Sequence, residues 1–182
     1  IAGIWDQTLG NGTPPRGFDY GSAFSEEQIN EALQEEDPLE LVPSTDVEGH
    51  GTFLASVACG SADPVHRFVG AAPESKIAVV KLKPAKDYLK AFYAIRPDAL
   101  CYQENDIILG LAYLNRLAEQ EQMPLVICLA MGTNFGGHNG STLLSALLDT
   151  YAYTMDRAVV IGGGNEAANR HHFHHRFLEN QE

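Results

Sequence analysis

The sequence is short of basic residues, of long apolar runs and of cysteine. Only 12 Lys and Arg stand against 24 Asp and Glu, for a formal net charge of −12. A chain this acidic is a poor partner for nucleic-acid phosphates or an anionic membrane surface. The longest apolar runs, such as 125–131 and 158–161, fall far short of the roughly 20 residues that a spanning helix requires. Three cysteines, Cys59, Cys101 and Cys128, cannot all pair with one another. Their spacing matches neither a zinc ligand set nor a C-x-x-C redox pair. They are expected as small buried hydrophobes and leave the redox compartment undecided. There is no internal repeat and no low-complexity linker to divide the chain.

What is present suits a globular domain. The 182 residues are 45% hydrophobic, which is enough to bury a sizeable core. The acidic stretch 25–40 is expected to hold a short amphipathic helix with Ile29 and Leu33 on one face, followed by a loop marked by Pro38 and Pro43. In 49–60, Phe53, Leu54, Val57 and Ala58 follow helical spacing, and Gly60 is placed to end the helix. Residues 77–82 are expected as a buried strand. Residues 105–120 form the clearest helical pattern, with Ile107, Leu111, Leu114 and Ala118 on one face and Asn105 placed to cap it. A strand over 125–129, a helix over 141–155 and a strand over 158–161 complete the order. Strands without polar alternation, interleaved with helices, imply an α/β fold with a parallel sheet covered on both faces.

In such sheets, chemistry collects just past the carboxyl ends of strands. Asp6 ends the apolar run 1–5, where a carboxylate is held rigid, although Asp is also a common turn former. His50 lies in Gly49-His50-Gly51-Thr52 at a helix start, where flanking glycines open the backbone to a substrate. A helix N-terminus disfavours the imidazolium, so a proton-transferring histidine there needs a carboxylate partner. Gly162-Gly163-Gly164-Asn165-Glu166 follows the last strand directly. Its glycines could cradle a phosphate, but the spacing is not G-x-G-x-x-G. They could equally hold a cleft open while the Asn165 amide donates to a developing oxyanion.

Taken together, Ile4-Trp5-Asp6, Gly49-His50-Gly51-Thr52 with Ala55, Gly70-Ala71-Ala72-Pro73 ahead of the 77–82 strand, and Gly163-Gly164-Asn165-Glu166 resemble the subtilisin-like serine proteases, peptidase family S8. The resemblance runs over the whole of 1–182. It implies a three-layer fold, mostly parallel sheet with helices on both faces, of which this chain is the N-terminal part. By the same resemblance Asp6 orients the histidine, His50 is the general base and acid, and Asn165 is the oxyanion donor, in the subtilisin order of Asp before His before Ser. Ala130, Met131 and Gly132 are similar to the substrate-binding strand, which would pair with an extended peptide. Gly163 and Gly164 would flank the specificity pocket. The implied partner is a protein or peptide substrate. No cofactor is implied beyond a structural calcium that the family allows, and the setting is secreted or spore-associated.

The sequence departs from the pattern at the nucleophile. The family serine sits in Gly-Thr-Ser-x-Ala, and no Gly-Thr-Ser occurs here. The chain opens inside a strand-like run and its last residues bring no closing element, so both ends are read as cuts, with the serine expected beyond Glu182. A catalytically inactive relative with a regulatory or binding role is the alternative. The isolated piece is expected to lack activity and, with an incompletely covered sheet, to self-associate. Residues 83–93 with 102–106 resemble an insertion. Together with 132–138 they point to the branch that includes the clostridial spore germination (Csp-type) proteases. His171, His172, His174 and His175 suggest a metal by density alone, but no second shell accompanies them and no metal site is assigned.

Overall fold

The computed structural model describes residues 1–170 and 173–176. They divide into two compact units, one of residues Ile1–Gln120 and one from Glu121 onward.

The first unit is built on a three-stranded sheet of order β2-β1-β3. β1 (Gly3–Asp6) lies at its centre, antiparallel to β2 (Ser22–Ser25) and parallel to β3 (Ala78–Lys81). Strand alternation sends Trp5 and Asp6 to opposite faces. Trp5 is fully buried against Phe18, Tyr20 and Tyr113, and its indole N–H donates to the Tyr20 carbonyl. β2 runs straight into α1 (Glu26–Ala32). Ser25 ends the strand and caps the helix in a capping box with Gln28. Phe24, Ile29, Ala32 and Val42 form a small core with Ile4 and Leu9.

The acidic stretch is therefore shorter as a helix than its composition suggests. Ile29 is buried, but Leu33 is the C-cap and 65% exposed, because the helix stops before a second apolar turn. Pro38–Glu40 is a 3-10 turn capped by Asp37. α2 (His50–Cys59) matches its pattern and ends at Gly60, whose backbone is extended rather than left-handed. None of its residues is buried, and Phe53 and Val57 are exposed. The segment read as an insertion contains α3 (Asp87–Phe92) and is closed by a bridge between Pro84 and Tyr102. α4 (Glu104–Gln120) begins one residue before Asn105, which therefore lies inside the first turn and does not cap it. Leu111 and Ala118 are buried as the pattern requires, along with Tyr113. Gly110 lets α4 approach the sheet, since a Cβ there would stand 3.1 Å from Val80 Cγ1.

In the second unit β4 (Leu125–Leu129) and β5 (Arg157–Ile161) pair in parallel, linked through α5 (Leu143–Tyr153), which packs on β5. A parallel pair needs such a crossover. Thr142 caps α5 by accepting from the Ser145 N–H. Ile127 and Leu148 are buried, whereas Val126, Val160 and Ile161 are exposed. The α/β class with parallel pairing is thus observed, with the described strands in two sheets and β2 as an antiparallel edge.

The cysteines depart from expectation. All three are free, Cys59 and Cys101 are half-buried, and Cys128 is exposed because strand alternation turns Ile127 inward and its neighbour outward. His171 and His172 of the histidine run lie outside the described residues, as does 177–182. Among the described residues no helix is long and apolar enough to cross a membrane, and no group of three or more metal-binding side chains converges.

Candidate active site

Asp6 closes β1 with no solvent exposure. The strand pairing that creates the site also furnishes its partners. Lys81, in register with Asp6 on β3, projects to the same face. The Thr8 N–H and hydroxyl donate to Asp6 Oδ1 at 2.8 and 2.5 Å. The Ser44 hydroxyl and Lys81 ammonium donate to Oδ2 at 2.7 and 3.1 Å. Burial pushes the Asp6 carboxyl up, but the Thr8 and Ser44 hydroxyls, the Thr8 N–H and Lys81 together outweigh it. The net pKa lies below the ordinary aspartate value, so the buried carboxylate is ionised at neutral pH.

Behind Asp6, Gln7 ties the chain down. Its amide donates to the Asp106 carbonyl at 2.9 Å and accepts from the Lys83 N–H at 3.3 Å. Asp106 Oδ1 in turn accepts from the Tyr20 hydroxyl and the Lys83 ammonium, each at 2.7 Å. The Lys83 ammonium also stands 3.4 Å from the Tyr20 ring centroid. Gln7 and Asp106 are both buried, so the turn after Asp6 is anchored to α4 and to the chain following β3. Asp106 Oδ2 is buried with no hydrogen-bond partner among the described residues.

His50 is the first residue of α2 and is exposed. Gly49 before it adopts the left-handed region (φ +76°), with nothing within 4 Å of where a Cβ would lie. Gly49 has no side chain to cap the helix, and Asp46 takes over that task. Asp46 accepts from the Gly49 N–H, the Thr52 N–H and the Thr52 hydroxyl. The Thr52 hydroxyl first, then the two N–H groups, pull its pKa down to about 2. A carboxylate at this end also complements the helix dipole. The described hydrogen bonds of the Asp6 carboxylate go to Thr8, Ser44 and Lys81, and those of Asp46 hold the turn that presents His50.

The remaining candidates belong to the second unit. Ala130 and Met131, directly after β4, are half-buried, and Gly132 is open around its α-carbon. The Gly162 N–H donates to the Leu129 carbonyl at 3.2 Å, extending the β4–β5 ladder by one step. Gly163 and Gly164 have nothing within 4 Å of a Cβ position, and Gly164 is left-handed (φ +84°). Asn165 is exposed in the turn that follows, and neighbouring Glu166 accepts from the Asn134 amide at 2.9 Å.

Thr8, Ser44, Lys81 and Asp46 were not singled out from the sequence. Asp46 carries a readable signal, an acidic residue just ahead of a helix start. Thr8 is a local partner two residues after Asp6, whereas Ser44 and Lys81 depend on loop return and strand register, which local sequence does not encode.

No curated protein sequence matches the chain. The family model described as the subtilase family matches residues 17–176, a range that includes His50 and Asn165 and begins after Asp6. Among solved structures, the Clostridium perfringens CspB protease matches with a TM-score of 0.72 and 30% identity over 91% of this chain. The chain spans only 30% of that protein's length. Matched over most of its length by the family model, the chain belongs to the subtilase family.

Proposed function

We propose that the chain is the Asp- and His-bearing part of a serine endopeptidase that works through an acyl-enzyme. The observation that carries this reading is Asp6, a fully buried, ionised carboxylate at the end of a central strand, in a subtilase chain that also bears Gly49-His50-Gly51-Thr52. The likeness to the Clostridium perfringens CspB protease supports it. In the complete protein a serine on a further segment attacks the peptide carbonyl. His50 accepts its proton and later returns it to the leaving amine. Asp6 orients the imidazole and stabilises the imidazolium, and the Asn165 amide with a backbone N–H receives the oxyanion.

Ala130, Met131 and Gly132 offer backbone to an extended protein or peptide substrate, with Gly163 and Gly164 beside the pocket for the residue preceding the scissile bond. The reaction needs no cofactor. A secreted or spore-associated setting is part of this proposal, carried by the resemblance of the sequence to the Csp-type branch.

A second reading, a subtilase without catalysis that serves by binding, is favoured by one observation: the described donors on Asp6 are two hydroxyls, an N–H and an ammonium, not an imidazole. Peptide hydrolysis by the full-length protein separates the two. The peptidase reading expects Asn165→Ala to lower kcat by about 10²–10³, the cost recorded for the equivalent amide in subtilisin, with KM little changed. No hydrolysis by the folded wild-type protein supports the binding reading instead.

A further inference from the structure

We propose that Gln7 is a positioning residue. Its side-chain amide closes a ring with Asp106 and Lys83 that fixes the turn from Asp6 to Thr8 and, through Thr8, the orientation of the Asp6 carboxylate. The catalytic use of that orientation rests on the peptidase reading above.

Among the described residues the β1–β3 ladder ends at the Gln7 N–H, which donates to the Lys81 carbonyl at 2.9 Å. The next N–H, that of Thr8, leaves the sheet and turns back onto Asp6 Oδ1 at 2.8 Å, joined there by the Thr8 hydroxyl. The peptide between Gln7 and Thr8 therefore decides where both Oδ1 donors stand, and the ladder does not hold it. The Gln7 side chain does. Its amide N–H donates to the Asp106 carbonyl at 2.9 Å, and its oxygen accepts from the Lys83 N–H at 3.3 Å. The Lys83 ammonium closes the ring on Asp106 Oδ1 at 2.7 Å. A flipped amide would set N–H against N–H and oxygen against oxygen, so the ring admits one orientation of Gln7. Gln7 and Asp106 are both buried, so water competes poorly for these bonds.

The other groups around the turn do not take over this role. Burial pushes the Asp6 carboxyl up, and the Thr8 hydroxyl, the Ser44 hydroxyl, the Thr8 N–H and Lys81 pull it down, in that order. Lys81 approaches from β3 and Ser44 from the loop ahead of α2, and both act on Oδ2. The Lys83 ammonium and the Tyr20 hydroxyl are engaged by Asp106. Asp46 is engaged by Thr52 and Gly49. The Thr8 donors are thus the ones that move when Gln7 lets go. An uncharged replacement for Gln7 alters no charge, so a change at Asp6 then reports geometry.

The test compares full-length wild type with Gln7→Met, which keeps the bulk of the side chain and loses both amide bonds, and with Tyr20→Phe, which removes a bond to Asp106 and spares those of Gln7. Carbon-13 NMR of protein labelled at the aspartate carboxyls follows the Asp6 signal against pH, assigned by its loss in Asp6→Asn. The Asp6 titration is expected at higher pH in Gln7→Met than in wild type, and unmoved in Tyr20→Phe. For peptide hydrolysis, kcat should fall about 10²-fold in Gln7→Met with KM little changed, the cost of misplacing a group by roughly 1 Å. If Gln7→Met fails to fold, Gln7→Asn is read instead, since its shorter amide cannot span Asp106 and Lys83 together. A titration that stays put in the folded Gln7 variant, or moves as far in Tyr20→Phe, overturns the positioning role. A titration that moves in the Gln7 variant alone, with no hydrolysis by any protein, keeps the role and removes the peptidase reading.

Discussion

Lys81 and Asp6 are in-register neighbours on the parallel strands β3 and β1, and the Lys81 ammonium stands 3.1 Å from Asp6 Oδ2. Pairing two strands thus brings a cation to a carboxylate that solvent does not reach. The same pairing fixes where that carboxylate points, which a loop aspartate could not guarantee.

The pH dependence of stability should carry the mark of Asp6. Its folded pKa is depressed, so its stabilising contribution is complete above the ordinary carboxylate range and is lost as pH falls through the folded value. Thermal unfolding of wild type should weaken below about pH 4. Asp6→Asn should be less stable at neutral pH by about 2 kcal/mol, discounted for the exposure of Lys81, and lose less over the acid window. Parallel curves for the two proteins would contradict this account of Asp6.

Gly49 sets the entry to α2. Alanine there meets no neighbour and still must adopt φ +76°, so Gly49→Ala should cost about 1 kcal/mol in denaturant unfolding. Gly49→Asn should cost less, because asparagine tolerates the left-handed region.

The Asp106 network should respond non-additively. Lys83→Met leaves a buried carboxylate with the Tyr20 hydroxyl as its side-chain partner among the described residues, at about 3 kcal/mol. Tyr20→Phe should cost about 1 kcal/mol. The double variant should differ from their sum, read by urea unfolding of all three proteins.

The isolated chain should self-associate. Phe53 and Val57 on α2, and Val126 and Val160 on the second unit's sheet, are exposed apolar groups. Sedimentation velocity should show mass rising with concentration, and Phe53→Ser with Val57→Ser should reduce it.

Much of this was legible in the sequence where the physics is local. The strand over 125–129 and the long helix ending at Gln120 follow from apolar periodicity, and the position of Asp6 follows from an apolar run that stops at a carboxylate. β2 was not legible, because Ser22–Ser25 is four residues long and its last serine doubles as the cap of α1. Leu33 fits the helical stripe yet lies past the end of the helix, where nothing requires it to be buried. Cys128 has a composition typical of a core, but the facing of a strand alternates and Ile127 takes the inward position. Ser44 and Lys81 reach Asp6 across 38 and 75 residues of sequence. Only the fold makes them neighbours.

The central claim is that His50, partnered by Asp6, activates a serine. The most direct test is the rate at which a fluorophosphonate probe labels the full-length protein, measured for wild type and His50→Ala. The account predicts labelling of a single serine in wild type and labelling at least about a thousandfold slower in the folded variant. Folded wild type that takes no label, or His50→Ala that labels as fast as wild type, would contradict it.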